Sequence, residues 1–104
     1  MYVVRFAYDV LPVDRDRAIA LIRREVEAAR RRGLTARLLV PLTRGRGEPA
    51  LEYEVELPTL DQLDQYRSDP LGSADATQAW IREFSEVLVQ PPGVEVFRID
   101  TGTP

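Results

Sequence analysis

The stretch Ala50–Leu57 reads ALEYEVEL, and apolar and acidic residues alternate through it almost without interruption. Side chains of a β-strand point alternately to its two faces, so this period of two predicts a strand with one apolar face and one face of glutamates. The apolar face consists of Leu51, Tyr53, Val55 and Leu57. Such a strand is typical of an antiparallel sheet whose apolar face is covered by other elements of the chain.

Three more segments show the alternation and the β-branched or aromatic residues of strands. They are Tyr2–Val10, Leu34–Thr43 and Val94–Asp100. The segment Arg44–Pro49 has the glycine-rich composition of a turn, so it joins two neighbouring strands into a hairpin.

Two regions between the strands have the spacing of amphipathic helices. The first is Arg15–Arg32, with Asp14 as its predicted N-cap and an apolar stripe of Ile19, Ile22, Val26 and Ala29. In the second region, Thr59 and Gln62 predict a capping box before a short helix that carries Leu60, Leu63 and Tyr66. After a break at 68–72, Ser73 is predicted to cap a longer helix with the stripe Ala76, Trp80, Phe84 and Val87.

The order β-α-β-β-α-β predicts an α+β, ferredoxin-like fold formed by a single domain over residues 1–104. In this arrangement the four-stranded antiparallel sheet has the strand order 4-1-3-2, and both helical regions cover one face. The third strand then lies between the first and the second. Glu54 is therefore expected between Arg5 and Arg37, on the sheet face away from the helices.

The composition excludes several kinds of chemistry. The 104 residues include no cysteine, histidine, lysine or asparagine, so all fourteen basic residues are arginine. Disulfides, Cys/His zinc sites, Ser-His-Asp triads and lysine Schiff bases are therefore absent. A net charge of −3 argues against nucleic acid as a partner, and no apolar run is long enough for a membrane span. Without a recognisable signal peptide, we expect a cytoplasmic protein.

An aromatic group between the helices and the sheet is the first candidate site. Flat apolar ligands bind in cavities with aromatic walls, so Trp80, Tyr66, Phe84 and Phe6 are predicted to bind substrate, with Tyr53 beside them. The alternative is that Trp80 and Phe84 are simply core residues, because both lie on the apolar stripe of their helix.

The second candidate site is the charged cluster on the other sheet face. Glu54 is predicted as a general base, Tyr53 or Tyr66 as a proton donor, and Arg37 and Arg5 as anchors for an anionic substrate group. The alternative is structural, with the arginines and the glutamates pairing with one another. A metal site on the three glutamates of this strand is disfavoured, because the arginines compete for them.

Nearly the whole chain resembles the dimeric α/β-barrel superfamily, in particular small proteins of the antibiotic biosynthesis monooxygenase-like and NIPSNAP-like kinds. The resemblance rests on the order of elements, the acidic-aromatic strand at 51–56, the break at Ser68-Asp69-Pro70, the Trp-bearing helix and the final stretch 91–99. It implies a homodimer that packs sheet to sheet. It also implies no cofactor and a small aromatic or polyketide-like substrate.

Two functions remain open from the sequence. The first is a small enzyme of secondary metabolism that works by cofactor-independent monooxygenation or by acid–base cyclisation or isomerisation. The second is a non-catalytic dimeric barrel that binds a small apolar ligand or a partner protein. The missing asparagine and histidine argue against haem degradation and histidine-dependent cyclisation, and they weaken the monooxygenase hypothesis.

Overall fold

The computed structural model describes residues 1–43, 45 and 49–102. In these residues the chain forms the strands β1 (Tyr2–Tyr8), β2 (Ala36–Leu39), β3 (Leu51–Leu57) and β4 (Gly93–Arg98). It also forms the helices α1 (Arg15–Arg31), α2 (Asp61–Ser68) and α3 (Ala74–Ser85), and a 3₁₀ turn at Pro12–Asp14 leads into α1. Within this part of the chain, no helix combines the length and the apolar character that crossing a bilayer requires.

The strands form one antiparallel sheet in the order β2-β3-β1-β4, as predicted. β1 and β3 lie at its centre. Tyr53 of β3 is paired with Phe6 of β1 on one side and with Leu38 of β2 on the other. All three residues point to the helical side of the sheet. The chain therefore has the α+β, ferredoxin-like fold that its element order predicts.

Helix α1 packs on the sheet through an apolar stripe that includes one carboxyl group. Its buried residues are Ala18, Leu21, Ile22, Glu25, Val26, Ala28 and Ala29. The sheet meets this stripe with fully buried side chains, among them Val4, Tyr53 and Val55. Burial of one large apolar side chain contributes about 1.5–3 kcal/mol, so this contact is a major source of stability.

The strands are shorter than the alternation predicts. β2 ends at Leu39 rather than Thr43, and Leu42 is 97% exposed. Pro41 has no N–H group to continue the ladder of hydrogen bonds, which explains the early end. β1 ends at Tyr8, and β4 ends two residues before the predicted limit. The predicted turn at 44–49 falls mostly on residues 44 and 46–48, outside the described residues.

The helix starts agree only in part with the predicted caps. The Ser73 side chain accepts a hydrogen bond from a backbone N–H in the first turn of α3, which confirms that cap. The predicted capping box at Thr59–Gln62 is wrong, because Leu60 occupies the N-cap of α2 and no side chain caps it. Asp14 also makes no capping bond, since it closes the 3₁₀ turn and lacks the extended backbone of an N-cap.

Candidate active site

A cavity of about 600 Å³ lies between the helices, the sheet and the segment that follows α3. This volume falls in the range of small-molecule sites. The walls are mainly apolar and include Phe6, Trp80, Phe84, Leu88, Pro91 and Val94. The polar groups of the wall include those of Tyr8, Glu25, Tyr66, Arg67 and Gln90. Such a lining suits a flat, mainly apolar molecule that carries a few polar groups.

Trp80 is a buried core residue that also lies in the cavity wall. Only 6% of its surface is exposed, as expected for a core residue, and it also lines the cavity. Its indole N–H donates a 2.7 Å hydrogen bond to the backbone oxygen of Leu21, which fixes the ring against α1. Phe84 meets it edge to face, with 5.1 Å between ring centres. The aromatic wall is therefore held rigid before any ligand binds.

Glu25 is the only carboxyl group in the described wall of the cavity. Its surface is 2% exposed, and it accepts a 3.0 Å hydrogen bond from the hydroxyl of Tyr8. Among the described residues, no arginine forms an ion pair with it. Burial raises the pKa of Glu25 to about 8, although the bond from Tyr8 acts in the opposite direction. A carboxyl group with such a pKa can accept and release protons near neutral pH.

Neither Glu25 nor Tyr8 is among the site residues predicted from the sequence. The signal for Glu25 was present, because it follows Leu21 by four positions and Ile22 by three. It therefore falls within the apolar stripe of α1, where a lone acidic residue is unusual. Tyr8 lies two positions after Phe6 on the apolar face of β1, and the two rings are stacked 6.5 Å apart.

Tyr66 and Tyr53 form a second buried polar pair next to the cavity. Their hydroxyl groups are hydrogen-bonded to each other, and Tyr66 also lines the cavity. Burial raises the pKa of both hydroxyl groups, and the nearby Glu25 carboxyl adds to the effect. The Arg32 guanidinium lies 5.5 Å from the centre of the Tyr66 ring. Both tyrosines therefore stay neutral and hold that wall in place.

The charged cluster lies on the opposite face of the sheet, as predicted. Glu54 accepts bonds of 2.8 and 2.5 Å from Arg5, and bonds of 2.8 and 2.7 Å from Arg37. Burial alone would raise the pKa of Glu54, but the bonds from the two arginines outweigh it and hold the pKa below its usual value. The Glu54 side chain is 5% exposed, and Arg37 is 65% exposed. Glu54 is therefore an anion with both oxygens engaged.

The predicted site residues separate into two groups. Phe6, Tyr66, Trp80 and Phe84 lie together around the cavity, and Tyr53 supports Tyr66 from the same side of the sheet. Arg5, Arg37 and Glu54 are joined on the other face and are not part of the cavity wall. Within one chain, the described cavity wall therefore includes Phe6, Tyr66, Trp80 and Phe84 and none of the three charged residues. Over residues 1–43, 45 and 49–102, no group of three acidic side chains is placed to hold a metal ion.

Comparison with known proteins supports the fold. No protein-family model and no curated protein match the sequence. An antibiotic biosynthesis monooxygenase of known structure is 18% identical with a TM-score of 0.67, over 96% of this chain and 99% of that one. An anthrone oxidase-like protein is 19% identical with a TM-score of 0.72, over 92% of this chain and 42% of the other. A dimeric ferredoxin-like protein from Thermobifida fusca is 13% identical with a TM-score of 0.66, over 94% of this chain and 90% of that one. At these identities the likeness shows a shared fold, and it agrees with the resemblance predicted from the sequence.

Proposed function

We propose that this protein is an enzyme that binds a flat aromatic or polyketide-like molecule in the cavity and transfers protons to and from it with Glu25. The observation that carries the proposal is the position of Glu25, a buried carboxyl group in the wall of a cavity of ligand size. Trp80, Phe84 and Phe6 bind the rings of the substrate. Tyr8 holds one oxygen of Glu25 and so fixes the direction in which the carboxyl group acts.

The proton transfer begins at a C–H bond that a carbonyl group of the substrate acidifies, either from the adjacent carbon or through a conjugated aromatic ring. Ionised Glu25 takes the proton, and the electron pair of the C–H bond moves into the carbonyl group to form an enolate. Return of the proton to another atom of the enolate gives an isomerised product. In a cyclisation, the enolate carbon forms a bond to a second carbonyl carbon of the same molecule, the π bond of that carbonyl group breaks, and Glu25 returns the proton to the resulting alkoxide oxygen. If dioxygen is the second reactant, a methylene group becomes a carbonyl group, and its two hydrogens leave as water with the other oxygen atom. All of these reactions start from the same proton abstraction by Glu25 and need no cofactor.

Glu54 and Arg37 are less suited to this chemistry than Glu25. A base needs a free oxygen atom and a pKa near the working pH, whereas the arginines engage both oxygens of Glu54. We assign Tyr53 to positioning, since its hydroxyl reaches Tyr66. The cluster of Arg5, Arg37 and Glu54 then serves the assembly of the protein, as described below.

Anthrone is a suitable probe, because it is a flat aromatic ketone with an acidic methylene group and because a structural neighbour is an anthrone oxidase-like protein. Under argon in D2O, the protein is expected to speed exchange of the methylene protons, followed by NMR. Glu25→Gln is expected to lower this acceleration by at least about 100-fold, the usual contribution of a general base. Glu27→Gln, an exposed neighbour on the same helix, is the matched control and should leave it unchanged.

The same probe separates the reaction types and the alternative function. In air, consumption of one dioxygen per anthrone with formation of the quinone would indicate monooxygenation, and exchange without oxygen uptake would indicate isomerase-type chemistry. If anthrone quenches the fluorescence of Trp80, the only tryptophan, but neither reaction depends on Glu25, the protein is a binding module. If anthrone and related aromatic ketones do not bind at all, the proposal is wrong.

A homodimer formed through the outer sheet face is the assembly that we propose. This face combines the Arg5–Glu54–Arg37 cluster with apolar side chains, including Val3 and Phe97, and Phe97 is 40% exposed in the single chain. The Arg5 guanidinium lies 5.1 Å from the Phe97 ring centre, so charge and apolar surface are interleaved there. The neighbour from Thermobifida fusca is itself dimeric. Sedimentation of only an 11.8 kDa species at micromolar concentration would contradict this assembly.

A further inference from the structure

The cavity wall contains one basic side chain in the part of the chain that the structure describes, namely Arg67. It lies in the last turn of α2, directly after the buried Tyr66, and its own side chain is exposed. Glu25 is the only acidic side chain of the described wall, and it is buried. The cavity thus has a buried carboxyl group and a cationic group in contact with solvent.

Among the arginines that the structure describes, Arg67 is one of those whose donors have no partner in the protein, and it alone lies in the cavity wall. Arg5 and Arg37 bind Glu54, while Arg17 and Arg24 of α1 form ion pairs with Glu86 and Glu83 at the C-terminal end of α3. Arg15, Arg30 and Arg32 donate to backbone oxygens. Within the described residues, Arg67 has no carboxylate partner and donates to no backbone oxygen. A guanidinium presents several N–H groups in a planar fork that matches the two oxygens of a carboxylate.

Two other polar side chains of the described cavity wall already donate hydrogen bonds within the protein. The Ser85 hydroxyl donates to the backbone oxygen of Arg82, and the Gln90 amide group donates to Asp9. At neutral pH Glu25 is largely protonated, so it does not repel a negatively charged ligand. The charge of the wall is therefore net positive, although the protein as a whole carries −3.

We infer that Arg67 binds a carboxylate of the substrate, so that the molecule acted on in the cavity is an aromatic acid rather than a neutral aromatic compound. This inference rests on the proposed function, since it concerns the ligand of the same cavity. The aromatic part of the ligand lies against Trp80 and Phe84, and its carboxylate is at the entrance, where it contacts both Arg67 and solvent. Arg67 determines specificity and orientation, while proton transfer remains with Glu25.

The test is a comparison of 2-naphthoate with 2-naphthamide, two ligands of the same shape that differ in charge, by titration calorimetry. The wild-type protein is expected to bind the naphthoate at least about fivefold more tightly, as a partly exposed ion pair allows. Arg67→Gln should remove this preference and leave the affinity for the naphthamide within about twofold. Arg82→Gln removes the same charge from an exposed position outside the wall and should preserve the preference.

The outcomes separate this inference from the proposed function. Equal binding of the two ligands by the wild-type protein, or a preference that survives in Arg67→Gln, would overturn the role of Arg67 and leave the cavity as a binding site. Equal loss of the preference in Arg67→Gln and Arg82→Gln would show a general charge effect and would also overturn it. If neither ligand binds and anthrone does not bind either, the proposed function fails together with this inference.

Discussion

The stability of the wild-type protein is expected to fall as the pH rises from about 5 to above 8, and Glu25→Gln is expected to abolish this fall. In the folded protein, burial raises the pKa of Glu25 from 4.5 to about 8. Between these values the folded state keeps the proton and the unfolded state releases it. The free energy of unfolding therefore falls by about 1.4 kcal/mol for each pH unit, because the native state binds more protons than the unfolded state.

The magnitude follows from the span of pH over which this difference exists. From pH 4.5 to about 8 the loss amounts to roughly 5 kcal/mol, so the stabilising contribution of protonated Glu25 is present in full below the lower value and has disappeared above the higher one. Glutamine has the shape of protonated glutamic acid and can still accept the bond from Tyr8, but it cannot ionise. The variant should thus match the wild-type protein near about pH 5 and be several kcal/mol more stable near about pH 8.5.

The assay is urea unfolding followed by circular dichroism at a series of pH values for the wild-type protein, Glu25→Gln and the control Glu27→Gln. Other carboxyl groups cancel in the difference between variants. Glu54, for example, has a lowered pKa and loses its stabilising effect as the pH falls, and it does so equally in all three proteins. Parallel stability curves for Glu25→Gln and the wild-type protein would refute the burial of an ionisable Glu25.

Three further predictions concern activity, the aromatic wall and the assembly. Proton exchange from anthrone should rise about tenfold per pH unit below pH 8 and level off above it, because the ionised form of Glu25 is the base; a flat pH profile of the initial rate would contradict this. Trp80→Ala should lower the free energy of unfolding in urea by about 3–5 kcal/mol and should also weaken ligand binding. A loss of affinity at unchanged stability would show that the indole serves only the ligand. Arg37→Ala leaves Glu54 with one partner, so it should raise the dissociation constant of the dimer at least about tenfold in analytical ultracentrifugation and leave proton exchange from anthrone unchanged. The reverse result would place the cluster in the active site.

Most of the architecture can be predicted from local patterns. Apolar and polar residues alternate in Ala50–Leu57 and Tyr2–Val10, as expected for strands that are buried on one face. In the structure these two segments pair at the centre of the sheet. The alternation and the strand order predict that Glu54 shares a sheet face with Arg5 and Arg37, and the observed register pairs it directly with both. The exact strand ends were not predictable in this way, because they depend on backbone hydrogen bonds such as the one that Pro41 cannot make.

The candidate active site could also be predicted from the sequence only in part. Local patterns in the sequence suffice to place Phe6, Trp80 and Phe84 on apolar faces, and the composition shows that no histidine or cysteine is available for chemistry. The identity of the acidic residue in the cavity wall depends instead on how the helices pack against the sheet. Helical spacing brings Glu25 to the inner side of α1, but its raised pKa arises from burial against groups that are distant in sequence, and the bond from Tyr8 partly opposes that rise. Burial is a property of the whole packed layer, so a pattern within one segment predicts which side a carboxyl group faces and not how completely water is excluded from it.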